Sequence, residues 1–205
     1  MIDLYAWGTP NGRKPMIMLE ETGMPHTLHK INIQKNEQFA PDYLKINPNG
    51  KIPALVDTEG PGGKPMRVFE SGAMLIYLGE KSGQFYPTDA RAKFAVLEWL
   101  MFQMGGVGPM FGQAHHFLRA APEQIAYAQD RYVKETRRLY GVMDARLGEA
   151  PYLAGEYSIA DMATFPWVAR YEWHKVALNE FPNVERWYKA IAARPAVDRA
   201  MKTAF

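Results

Sequence analysis

The chain has 205 residues, 47% of them hydrophobic and 22% charged, which is the balance of a folded globular protein with room for one large domain or two small ones. Its 24 basic and 22 acidic residues leave a formal charge of +2 and are dispersed, so no basic stripe points to nucleic acid. It holds no cysteine, which excludes structural disulfides, cysteine zinc sites, a CxxC redox pair and a protein thiol nucleophile, so any thiol chemistry must use a sulfur carried by a ligand.

The chain opens on strand-like sequence, without a basic segment followed by an apolar one, and a cytoplasmic protein is expected. The most apolar stretch, Phe94 to Phe117, is interrupted by Glu98, Gln103, Gln113, His115 and His116 and does not read as a membrane span. Ile2 to Trp7 predicts a strand, with a turn over Gly8-Thr9-Pro10-Asn11-Gly12. Arg13 to Thr22 predicts a helix stopped by Gly23, with Pro15 in its first turn, where the missing N–H is tolerated. Thr27 to Ile33 alternates as a second strand, and Pro53 to Asp57 and Met66 to Phe69 form a hairpin across Gly60-Pro61-Gly62-Gly63. Ser71 to Lys81 predicts a helix ending at Gly83.

Beyond Thr88 the pattern is helical. Two long segments, 88–117 and 123–148, are separated by Ala121-Pro122; a helix starts at the capping box Ser158-Ile159-Ala160-Asp161, and another opens at Pro182 and ends near Arg194-Pro195. The implied organisation is a small α/β domain over residues 1–83 and an all-helical domain over 88–205, joined at Phe85-Tyr86-Pro87. Gly105 to Gly112 is glycine-rich but follows no strand and precedes no Gly-Lys-Ser/Thr, so it reads as a kink rather than a phosphate loop. His115 and His116 are adjacent and diverge on a helix, which argues against a metal site. Trp99, Phe102, Met104, Met110, Phe111 and Phe117 line either the core or an apolar pocket.

The order βαβαββα with a proline opening the third strand is the thioredoxin-like pattern. Combined with Asn49-Gly50-Lys51-Ile52-Pro53-Ala54-Leu55, Phe69-Glu70-Ser71-Gly72-Ala73 and Ser158-Ile159-Ala160-Asp161, it resembles the cytosolic glutathione transferase superfamily from end to end. Thr9-Pro10-Asn11-Gly12 and the stretch Gly105 to Phe117 are similar to the Nu class, bacterial glutathione-dependent disulfide-bond oxidoreductases. The resemblance implies a homodimer that binds glutathione as a substrate, with no metal, membrane or nucleic-acid partner. It also implies a cis Ile52–Pro53 peptide whose Ile52 backbone pairs with the cysteinyl unit. Glu70 and Ser71 would hold the γ-glutamyl end, Gln38 and Lys51 the glycyl end, and Arg131 would reach the ligand from the other subunit. Taken singly, Pro53 also suits the start of a strand, and Glu70-Ser71 a plain helix cap.

A free thiol ionises near about 8.5, and lowering that by two units takes about 2.7 kcal/mol of preference for the thiolate. A helix N-terminus supplies about 0.3–1 kcal/mol, and each hydrogen bond to a charged acceptor about 1.5–3 kcal/mol. The Thr9 hydroxyl and the Asn11 amide, at the mouth of the first helix, are the candidate catalytic donors. Tyr5 and Trp7 share one strand face and read as packing residues. Three activities fit this reading: reduction of small disulfides by glutathione, conjugation of glutathione to electrophiles with peroxidase activity, or regulatory glutathione binding without catalysis. The Thr9-Pro10-Asn11 turn favours the first.

Overall fold

A computed structural model describes residues 1–205, which group into two compact units, Met1–Tyr86 with Arg194–Phe205 and Pro87–Ala193. The C-terminal residues expected at the end of the helical domain therefore belong with the first unit.

In the first unit, β1 (Ile2–Ala6) alternates as a half-buried strand: Ile2, Leu4 and Ala6 are buried, while Asp3 and Tyr5 face the other side. It pairs in parallel with β2 (His26–Lys30) and antiparallel with β3 (Ala54–Asp57), and β3 pairs antiparallel with β4 (Met66–Phe69), giving the order β2-β1-β3-β4. The crossover between the parallel strands is α1 (Pro10–Thr22), closed by Gly23 in the left-handed conformation. A one-turn helix, α2 (Pro41–Leu44), lies in the connection to β3, and α3 (Ser71–Ser82) follows β4 and packs on α1. Met16, Ile17, Leu19, Met74, Leu75 and Leu78 fill the core with Leu4 and Leu55.

α1 begins three residues before the position expected, because Thr9 caps it and Pro10 occupies the first helical place. Pro15 is then an interior proline and cannot donate to the Asn11 carbonyl. The last helix of the chain, α9 (Pro195–Lys202), packs against α1. Arg194 grips Glu21 at 2.6 and 2.9 Å, and Arg199 meets Glu20 at 2.8 Å. Arg13 Nη1 donates to the carbonyls of Ala200 (2.6 Å) and Thr203 (2.8 Å), the C-terminal end of α9 where a cation is favoured, and its guanidinium lies over the Phe205 ring.

The second unit is helical. α4 (Ala90–Phe102) and α5 (Gly108–His115) run on through a wide π turn at Gln103–Val107, and a second π turn follows at His116–Ala120. The first of these absorbs Pro109, whose missing N–H would otherwise break a regular helix, so the glycine-rich stretch widens the helix rather than ending it. α6 (Ala126–Glu149), α7 (Ile159–Val168) and α8 (Pro182–Ala192) complete the unit, and every residue of α7 is buried. Its capping box is formed, with Ser158 N–H donating to Asp161 at 3.0 Å, and the buried Asp161 carboxylate also receives Leu153 N–H (3.1 Å) and Trp187 Nε1–H (2.8 Å).

Candidate functional site

Strand register gathers most of the expected site residues at one end of the sheet. Tyr5 stands opposite Ala54, Ala54 opposite Phe69, and Ala6 beside Lys30. The residues that leave β1, those that enter β3 and those that leave β4 therefore emerge from the same edge. With neighbouring strands about 4.8 Å apart, these three exits lie within roughly 10 Å along the sheet.

At the first exit, the Thr9 hydroxyl oxygen accepts from Gly12 N–H at 3.2 Å, so the cap uses an acceptor position and leaves the O–H to donate. Asn11 is the second residue of α1, half-buried beside it. Gly12 lets the chain close on itself: a β-carbon there would stand 2.1 Å from the Trp7 carbonyl oxygen. Tyr5 is stacked on His29, with ring centroids 4.5 Å apart, and His29 is held by Asp3 at 2.7 Å. Burial, and then the Asp3 charge, raise the Tyr5 hydroxyl above its ordinary pKa. Trp7 meets Phe205 edge-on.

At the second exit the Ile52–Pro53 peptide is cis. The carbonyl just before it, on Lys51, accepts from the Tyr43 hydroxyl (2.5 Å) and the Asn47 amide (2.7 Å), which fixes the loop. Ile52 itself makes no backbone hydrogen bond within the chain, so its N–H and C=O are available as a strand edge. The Lys51 side chain is exposed. Gln38, on the connection that follows β2, is 9% exposed and its carboxamide oxygen has no partner in the chain, an acceptor held in place without an internal use.

At the third exit Glu70 takes φ 69° and ψ 115°, a region that costs a non-glycine residue about 1–3 kcal/mol and that clusters at ligand clamps. It is the N-cap of α3 but makes no side-chain cap bond, at a helix end whose N–H groups and dipole favour an anion. Ser71, 4% exposed, accepts from Lys14 Nζ at 3.2 Å. Lys14 is 1% exposed, and burial pushes its ammonium down to about 7, against the opposing pull of Glu70. Sequence reasoning passed over Lys14. The available signal was its place three and four residues before Ile17 and Met18, on the buried side of α1.

Arg131 stands in the second unit on α6, where it lines an open groove of about 600 Å³ with Met110, Tyr127, Tyr132, Lys134 and Arg138. Of the apolar residues considered for a pocket, Phe111 is fully buried between Tyr140 and His174, Met110 lines this groove, and Trp99 packs edge-on against Phe102. His115 stacks on the buried His174 while His116 faces outward, and no group of three or more potential metal ligands gathers anywhere in the chain. No helix is long and apolar enough to cross a membrane.

Two family models match the chain: the glutathione S-transferase N-terminal domain over residues 9–81 and the C-terminal domain over 105–195. The disulfide-bond oxidoreductase YfcG of Escherichia coli is 48% identical over 203 residues, spanning 98% of this chain and 94% of that protein. The disulfide-bond oxidoreductase YghU of the same organism is 40% identical, over 97% of this chain and 73% of that one. Among solved structures, a glutathione transferase from Burkholderia graminis with two glutathione molecules bound per subunit superimposes with a TM-score of 0.93 at 46% identity, covering 98% and 88% of the two chains. One from Pseudomonas putida with a glutathione disulfide bound per subunit gives 0.95 at 44%, covering 100% and 92%.

Proposed function

The chain belongs to the glutathione S-transferase family, and on that premise we propose that it reduces small disulfides with glutathione, using the thiolate of the bound tripeptide. The observation that carries this reading is the Thr9 turn. A hydroxyl whose acceptor side caps α1 keeps its hydrogen for an anion, in a chain with no sulfur nucleophile of its own, at the same end of the sheet as the Glu70–Ser71 helix start. The names of the relatives, disulfide-bond oxidoreductases, support the same choice of substrate.

Glutathione lies with its γ-glutamyl carboxylate at Ser71 and the α3 N-terminus, and its ammonium toward Glu70. Its cysteinyl backbone pairs with Ile52, and its glycyl end meets Gln38 and Lys51. The thiol then sits at the mouth of α1, where Thr9 O–H and the Asn11 amide donate to the sulfur. The thiolate attacks one sulfur of the substrate disulfide; that S–S bond breaks, and the departing thiolate takes up a proton. A second glutathione thiolate attacks the mixed disulfide, releasing the second substrate thiol and glutathione disulfide. The sum is two glutathiones and one disulfide converted to one glutathione disulfide and two thiols. The working form is a cytoplasmic homodimer in which Arg131 reaches the partner's ligand.

Turnover of 2-hydroxyethyl disulfide, measured beside 1-chloro-2,4-dinitrobenzene, tests the proposal. Faster consumption of the disulfide is expected. Conjugation without disulfide reduction makes the protein a conjugating transferase, and binding of glutathione without either reaction makes it a regulator.

A further inference from the structure

Arg13 is half-buried beside the turn that carries Thr9, and no carboxylate meets it. The cations around it are paired otherwise: Arg194 with Glu21, Arg199 with Glu20 and Lys202 with Asp198. Both hydrogens of Arg13 Nη1 are occupied by the carbonyls of Ala200 and Thr203, and the guanidinium lies 4.5 Å from the centre of the Phe205 ring. Nε and Nη2 keep three N–H donors for another acceptor. Arg13 N–H donates to the Thr9 carbonyl at 3.0 Å, so its side chain starts one helical turn beyond Thr9 and leans back toward the start of α1. Nη2 thereby reaches Gly8, where a β-carbon would stand 3.8 Å from it and 3.5 Å from Phe205 Cδ2. The place that glycine leaves without a side chain is walled by an aromatic ring and a guanidinium. Trp7, Gly8, Thr9 and Phe205 are all partly exposed there.

We propose that Arg13 selects the disulfide: the enzyme favours short disulfides whose thiol halves carry a carboxylate, which Arg13 binds beside the Phe205 ring, an inference that rests on the reading of Thr9 and Asn11 as donors to the glutathione sulfur. A guanidinium and a carboxylate form a planar, charge-assisted pair that a hydroxyl matches poorly and an ammonium opposes. Burial disfavours the charged guanidinium and no carboxylate counters it, so an arriving anion removes a cost that the protein otherwise carries. Gly8 is bonded directly to Thr9, and consecutive Cα atoms are about 3.8 Å apart, so the cation and the sulfur donors lie within reach of one small molecule. A disulfide with two carbons between sulfur and carboxyl spans that interval, its attacked sulfur at Thr9 and its carboxylate at Arg13. The positive N-terminal end of α1 adds to the same field. The carboxylate stays ionised throughout and takes no part in the exchange of sulfur bonds.

Three symmetrical disulfides of similar length isolate the charge: 3,3′-dithiodipropionate, 2-hydroxyethyl disulfide and cystamine, which end in a carboxylate, a hydroxyl and an ammonium. With glutathione at low salt, kcat/KM should fall in that order, the first roughly tenfold above the second. That ratio should shrink as salt is added. Arg13→Gln keeps a donor for the α9 carbonyls but lacks the charge, and should bring the ratio of acid to neutral disulfide down to about one. Because Arg13 also holds α9, Gly8→Asp gives a second route: it sets a carboxylate beside Nη2 while the bonds to Ala200 and Thr203 stay in place, and it should likewise abolish the preference. A wild type that reduces all three disulfides without favouring the acid overturns the inference and leaves the disulfide reductase reading standing. So does a preference that persists in folded Gly8→Asp. Failure to reduce any of the three overturns that reading and the role of Arg13 together.

Discussion

Gly12 and Trp7 touch through backbone: the helix-side face of Gly12 stands so close to the Trp7 carbonyl that a β-carbon would lie 2.1 Å from its oxygen. The obstacle is main chain, so it cannot swing aside as a flexible side chain would. The Thr9 cap and the Asn11 amide both sit inside the loop this contact closes. Gly12→Ala is expected to push the turn outward, costing about 1–3 kcal/mol of stability by overpacking. A displacement near 1 Å of the sulfur donors is expected to lower disulfide turnover on the order of a hundredfold. Thermal melts and kcat for 2-hydroxyethyl disulfide check both; a variant with wild-type kcat removes the turn from the thiolate's surroundings.

The thiolate of bound glutathione absorbs near 240 nm, which gives its ionisation directly. Asn11→Ala removes one hydrogen bond to the charged sulfur, about 1.5–3 kcal/mol, and so should move the titration upward by roughly one to two pH units. Tyr5→Phe should leave it in place, because Tyr5 is committed to a stack with His29. The reverse pattern, with Tyr5→Phe moving the titration and Asn11→Ala not, identifies a tyrosine-type conjugating enzyme.

What the sequence made legible was periodic or local. The alternation of Ile2, Leu4 and Ala6 against Asp3 and Tyr5 was readable because burial on a strand has a period of two, and the Ser158–Asp161 box because both partners lie within one turn. The start of α1 was misplaced because Thr9 was read as a sulfur donor and not also as a cap, which moved Pro15 from the first turn to the interior. α9 went unread, and its place in the first unit depends on Glu21–Arg194 and Glu20–Arg199 pairs between residues 173 and 179 apart in sequence, beyond any periodic signal. Lys14 was hidden for a different reason. Lysine is rarely enclosed in a core, and its surroundings come from α3, whose approach to α1 is a property of packing.

Arg131 lies in the second unit, on a groove with Tyr127 and Arg138, and its proposed role is to complete the partner subunit's site. Mixing inactive Asn11→Ala with inactive Arg131→Ala should therefore restore part of the disulfide reductase activity. In a mixed dimer, one site then carries both defects and the other carries neither. Recovery is expected to grow with subunit exchange, followed by native mass spectrometry. Complete exchange with no recovery assigns Arg131 to its own subunit or to no site.

The second unit carries a pH dependence of its own. His115 and His174 stack with centroids 4.4 Å apart; the Tyr140 hydroxyl lies 3.2 Å from His174 Nδ1, and the guanidiniums of Arg119 and Arg170 flank Trp173 close by. Burial, then the charges of Arg170 and Arg119, push His115 down to about 4, and burial with the neighbouring His115 and Arg170 pushes His174 far below its ordinary range. Both rings are thus neutral in the fold, whereas in the unfolded chain they protonate below about 6.5. Their contribution to stability is fully present above pH 6.5 and is lost as the pH falls from there toward 4, because the unfolded state then binds more protons. Each histidine adds up to about 1.4 kcal/mol of lost stability per pH unit in that window. Urea unfolding at pH 7.5, 6.5, 5.5 and 4.5 should show the loss beginning below 6.5, before most carboxylates titrate. His115→Phe, which keeps a ring in the stack and cannot protonate, should flatten the slope between pH 6.5 and 4.5 relative to the wild type. An unchanged slope in a folded variant means that another group drives the acid sensitivity of this unit.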